Sequence, residues 1–172
     1  LMANHLMGQN DEPRFKRWVL SSMVSRTYYH NFVTHLLEAA YQREVYRLVD
    51  ARKPLSTNVL NQLKRTVLET FWGEDVEINP GAELTWMRQP HYYMGLYPYT
   101  YSAGLTIATQ ASEKIISGEL DINVWLEVLK AGGTKTPLEL AAMAGVDMSS
   151  DDAIVKTINT IGSMIDEIIS LS

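Results

Sequence analysis

The chain contains no cysteine among its 172 residues, which excludes disulfides and thiolate metal sites and fits a cytoplasmic protein. Basic residues are scarce in the second half: residues 1–91 hold eleven Lys/Arg against ten Asp/Glu, and residues 92–172 hold four against ten. A net charge of -5 with no basic cluster argues against a nucleic-acid partner, because phosphate neutralisation needs clustered cations. No apolar run approaches the ~20 residues that cross a bilayer, and no signal-peptide pattern is present, so no membrane partner is expected. Also missing are β-hairpin signals, internal repeats, a GxGxxG or phosphate-loop motif, and a nucleophile elbow.

What remains is helix punctuated by turn residues. At 46% apolar content the chain is long enough to bury a real core, and one domain is the default. Leu1, Met2, Leu6 and Met7 read as the end of an amphipathic helix closed by Gly8. Pro13 then opens one long helix whose apolar positions recur from Phe15 to Leu48 and which ends near Arg52. Ser56 caps the next, with a stripe of Val59, Leu60, Leu63, Val67, Leu68 and Phe71 that stops at Gly73. A helical turn is expected at 83–87 and a helix over 98–117, in which Gly104, Ala108, Ala111 and Ser112 form a small-residue stripe for close backbone approach. Asp121 caps another helix. Thr136, Pro137 and Glu139 form a capping box, and a last helix starts at Ser149 or Ser150. The fold class is all-α.

Metal-ligand spacing is not found. A helical zinc pair needs histidines four apart, since ~100° per residue brings i and i+4 onto one face. His30 and His35 are five apart, roughly 140° around an α-helix. His35 and Glu38 make one i, i+3 pair, more simply read as helix-surface polar residues or a core contact. His5 stands alone.

The distinctive stretch is "RQPHYYMGLYPYTYSAGL", residues 88–105, where five of nine tyrosines and one of four histidines fall within eleven positions. His91, Tyr92 and Tyr93 are consecutive while Tyr97, Tyr99 and Tyr101 alternate, so no single face of a helix or strand could bury them all. Pro90, Gly95 and Pro98 mark a shaped loop. Two readings are open: an aromatic packing cluster, or a set of O–H and imidazole donors for a polar ligand.

Together, "WMRQPHYYMGLYPYTYSAGL", "LMANHLM" and "LKAGGTKTPLELAAMAGVDMSS" resemble the oligoendopeptidase F family, zinc metallopeptidases related to thimet oligopeptidase. The resemblance covers essentially the whole chain and departs from the family wording at Gly95 and Pro98. It implies that residues 1–172 are the helical C-terminal portion of a zincin-type oligopeptidase catalytic domain acting on short peptides. Zinc would be held in the parent enzyme by HExxH and a further glutamate, both upstream of Leu1, and none is expected on this chain alone. The resemblance assigns catalytic roles to His91 and Tyr99 as donors to the scissile carbonyl oxygen. It assigns substrate binding to Arg88, Tyr92, Tyr93 and Tyr97. Expected partners are short peptides and the missing N-terminal part of the same enzyme, with self-association of the isolated piece. The alternative is a non-catalytic helical module that binds peptides or proteins.

Overall fold

Side-chain caps from Glu12, Ser56, Asp121 and Thr136 set where four of the helices begin. In the computed structural model, which describes residues 1–171, α1 (Met2–Gln9) is followed by α2 (Pro13–Ser22), started by the Glu12 carboxylate accepting from the Arg14 and Phe15 backbone N–H groups. The helical path continues through Met23–Thr34 into α3 (His35–Asp50). The expected single α-helix is therefore helical throughout, but Met23–Thr34 is wound as a π-helix with i to i+5 hydrogen bonding. Eight consecutive residues from Thr27 to Thr34 (TYYHNFVT) belong to the weaker half of the helix-propensity ranking, so α-type winding is only weakly favoured there. The 140° separation expected for His30 and His35 assumed α pitch and does not carry over.

Ser56 caps α4 (Thr57–Trp72), its hydroxyl accepting from the Val59 N–H. Two 3-10 turns follow, Ala82–Arg88 and Pro90–Tyr93, and then α5 (Tyr97–Ser117). Asp121 caps α6 (Ile122–Ala131), and the full capping box of Thr136 and Glu139 starts α7 (Pro137–Met143). The last helix, α8 (Asp152–Ser170), begins later than expected because Ser149 and Ser150 are used in side-chain turns: Ser149 N–H donates to Asp147, and the Ser150 hydroxyl accepts from the Asp152 N–H. There is no strand among the described residues.

The chain divides into two compact units, Val33–Ser102 and the remainder. In the first, α3 and α4 pack around Leu37, Tyr41, Val67 and Leu68, with Phe71, Ile78, Trp86 and Tyr92 against them. Burying each of those aliphatic side chains contributes about 1.5–3 kcal/mol. In the second, Ala111, Val128, Ala144, Val146 and Ala153 form the core, with Ile107, Trp125 and Met143 packed on it. The small-residue stripe of α5 is used only in part. Ala111 is buried, whereas a Cβ placed on Gly104 would meet nothing within 4 Å, so no backbone approaches there.

Candidate functional site

Helix α5 begins just after Leu96, which takes the left-handed conformation at φ 52 even though Gly95 lies beside it. That turn fixes the phase of the helix, and Tyr97 and Tyr101, four apart, then share one face. Both meet His91 of the second 3-10 turn. The His91 ring stacks on Tyr97 at 5.1 Å between centroids, lies 5.6 Å from Tyr101 edge-on, and 5.7 Å from His35. His35, the first residue of α3 and buried, lies 4.0 Å from the Tyr101 ring. Tyr97 and Tyr101 are themselves edge to face at 5.4 Å. Hydrogen bonding with Tyr97 comes first, and burial second, in raising the Tyr101 phenol above its usual value. His91 Nδ1 is buried with no hydrogen-bond partner.

Beneath this cluster lies a polar network. Lys64, fully buried on α4, donates to Glu38 of α3 at 2.6 Å and to the Tyr92 phenol at 3.4 Å. Its ammonium also sits 5.2 Å from the Tyr41 ring centroid. Burial lowers the Lys64 pKa, opposed by the Glu38 charge and hydrogen bond, and burial followed by that same charge raises the Tyr41 phenol. Gln42 Nε2 donates to Tyr46 Oη at 3.0 Å, to the Met94 carbonyl at 3.2 Å and to the Tyr92 carbonyl at 3.4 Å.

The sequence-predicted residues therefore separate. Tyr97 stands beside His91, but Tyr99 is two residues on, about 200° around α5. It lines an apolar cavity of ≈ 460 Å³ with Leu36, Ala39, Ala40, Arg43, Phe71 and Leu96. Tyr92 packs its ring on Tyr41 at 5.3 Å, with its hydroxyl facing Lys64. Tyr93 is 92% exposed, and Arg88 is exposed with no ion pair among the described residues. Sequence reasoning named Tyr101 in the tyrosine run without a role and read His35 and Glu38 as surface residues or a core contact, of which the buried positions fit the second; it did not single out Gln42 or Lys64. A signal existed for the last: Lys64 follows Leu60 by four and precedes Val67 and Leu68 by three and four, a core-facing position in α4 occupied by a cation.

No three His, Asp or Glu side chains among the described residues converge in a way that could hold a metal ion, so these residues do not form the three-ligand set of a catalytic zinc. No helix among the described residues is long and apolar enough to cross a membrane.

The all-helical fold matches that of an oligopeptidase of known structure. Oligoendopeptidase-F from Enterococcus faecium superposes with a TM-score of 0.91 over 98% of this chain and 32% of that one, at 24% identity. The sequence model of peptidase family M3 matches residues 9–160, and the chain belongs to that family. Among relatives, the plasmid-encoded oligoendopeptidase F of Lactococcus lactis subsp. cremoris is 36% identical over 115 residues, 66% of this chain and 19% of its own length. Oligopeptidase PepF of Bacillus subtilis (strain 168) is 23% identical over 168 residues, 97% of this chain and 25% of its own. The chain thus spans about a fifth to a quarter of the length of these two relatives.

Proposed function

We propose that residues 1–172 are the C-terminal helical portion of the catalytic domain of a cytoplasmic zinc metallo-oligoendopeptidase that hydrolyses short peptides. The family match over residues 9–160 supports this reading over a non-catalytic binding module. Zinc, which in such an enzyme supplies Lewis-acid chemistry and an activated water, would be held by residues other than these. The part of the reaction that falls to this chain is to grip the peptide and place donors where negative charge grows on the scissile carbonyl oxygen.

The observation that carries the proposal is the His91 imidazole set among Tyr97, Tyr101 and His35, with Nδ1 buried and unpartnered. His91 Nε2 and the neighbouring phenols are fixed in orientation by ring packing, and groups that need no reorganisation are the ones that stabilise a developing oxyanion. Tyr99 enters as a hydroxyl on the wall of the apolar cavity, where a substrate side chain would lie. Exposed Tyr93 and Arg88 are free to meet the peptide backbone and a carboxylate, while Tyr92 contributes by holding the turn.

The test is cleavage of a quenched fluorescent oligopeptide by the whole enzyme. A metal chelator should abolish turnover, and His91→Ala should lower kcat by about 10²–10³ with KM nearly unchanged. Full activity of His91→Ala with a reduced melting temperature would make the cluster a packing feature and defeat the proposal.

A further inference from the structure

One face of α3 carries an unusual run of buried polar side chains. His35, Glu38 and Gln42 lie at i, i+3 and i+7, within about 60° of one another around the helix, and each is at most 8% exposed. All three act on the short segment that carries His91. The His35 ring packs on Tyr101 and lies 5.7 Å from His91. Glu38 anchors Lys64, which reaches the Tyr92 phenol. Gln42 spans the end of the segment, its amide nitrogen donating to the carbonyls of Tyr92 and Met94, one and three residues beyond His91.

As a source of stability this arrangement is poor. Replacing a buried ion pair with well-packed apolar side chains is often neutral or stabilising. Gln42 Oε1 and Tyr41 Oη are in addition buried with no hydrogen-bond partner, each a desolvation cost of about 1–3 kcal/mol. An apolar stripe would join α3 to α4 at least as well. What an apolar stripe could not do is bind two specific backbone carbonyls and so set the path of the chain on either side of Tyr93. The 3-10 turn Pro90–Tyr93 is only four residues long, and Met94 beyond it is extended, so the turn has little hydrogen bonding of its own to hold its shape.

We propose that Gln42, backed by the Glu38–Lys64 pair, is a positioning residue: it sets the orientation of His91 by clamping the Tyr92 and Met94 carbonyls. This rests on the reading of His91 as a substrate-facing donor, but the clamp itself is observable without any activity. Gln42 does not reach the substrate in this scheme. It acts through His91, as a support whose loss lets the imidazole drift from its place among Tyr97, Tyr101 and His35.

The experiment is NMR of the His91 ring in the full chain, comparing the unaltered protein with Gln42→Met, which keeps side-chain length and removes both amide donors and the unpartnered oxygen. The expected result is loss of most of the ring-current shift that three neighbouring rings impose on His91, with urea-unfolding midpoints that stay together. An unchanged His91 shift in a folded Gln42→Met protein would overturn the proposal. Should that variant not fold, the unaltered chain still decides: the two Gln42 side-chain amide protons must exchange slowly and show proximity to Tyr92 and Met94, and rapid exchange refutes the clamp. In the whole enzyme, Gln42→Met should lower kcat by about 10- to 100-fold, the scale expected for misplacing a group by an ångström. In a His91→Ala background the same change should have almost no further effect. An equal loss in both backgrounds would mean that Gln42 acts independently of His91. A ring-shift change without any peptidase activity would uphold the clamp while refuting the proposed function.

Discussion

Removing Lys64 alone should be among the most destabilising conservative changes available in Val33–Ser102. Lys64→Met keeps a buried apolar stem of similar length but deletes the ammonium 2.6 Å from Glu38, a residue that is only 8% exposed. Leaving one charge of a buried pair without its partner costs about 3–5 kcal/mol. That is a large share of the ~5–15 kcal/mol that holds a typical domain together. With a urea m-value of about 2 kcal/mol/M, the midpoint should fall by about 2 M. The double variant Glu38→Met/Lys64→Met removes both charges at similar volume and should return to within about 1 kcal/mol of the parent. Urea titrations followed by far-UV circular dichroism on the four proteins of this cycle give the coupling directly. If Lys64→Met costs less than about 1 kcal/mol, the pair behaves like an exposed one and the argument from burial is wrong.

Three further outcomes are expected. The Glu139 carboxylate is held below its ordinary 4.5, first by the Thr136 backbone N–H and then by its hydroxyl. Its stabilisation of α7 is therefore complete above pH 4.5 and is lost as pH falls through the lower folded value; Glu139→Gln should be less stable near neutrality, with the difference vanishing in acid, and a pH-independent difference would contradict this. Leu96→Gly should relieve the left-handed backbone at φ 52 and lose the side chain's contact with the apolar cavity, leaving thermal stability within about 1 kcal/mol of the parent, whereas a loss above about 2 kcal/mol would show that the leucine side chain dominates. Ile158, Ile165 and Ile169 of α8 are 42–66% exposed along one face, so the isolated chain should self-associate in light scattering, and a clean monomer at high concentration would contradict that.

Helix starts were the most legible feature, because Ser56, Asp121 and the Thr136–Glu139 box act through local hydrogen bonds that the sequence spells out. The π winding of Met23–Thr34 was not legible, since apolar recurrence marks a helix but does not report one extra residue per turn. The candidate site was half readable. Composition drew attention to residues 88–105, and His91 does meet two of its tyrosines. Which tyrosines depended on where α5 starts, and that is set by a left-handed Leu96 rather than by Gly95. Once the helix begins at Tyr97, residues 97 and 101 share a face and Tyr99 turns to the apolar cavity. The partnerships of the supporting residues were hidden for another reason: Glu38, Gln42 and Lys64 pair across α3, α4 and the turn, and single-helix periodicity carries no record of such partners.

The proposed role of His91 requires that it and its neighbouring phenols bind the transition state more tightly than the substrate. The most direct measurement is the inhibition constant of a phosphinic peptide, whose tetrahedral phosphinate mimics the addition intermediate, across His91→Ala, Tyr97→Phe, Tyr99→Phe and Tyr101→Phe forms of the whole enzyme. Log Ki should rise in step with log KM/kcat, with slope near one, while KM itself stays almost flat. The largest changes should fall on His91 and Tyr101, and Tyr99→Phe should move little. A series in which kcat falls with Ki unchanged, or in which Tyr99→Phe alone follows the line, would contradict the donor set built around His91.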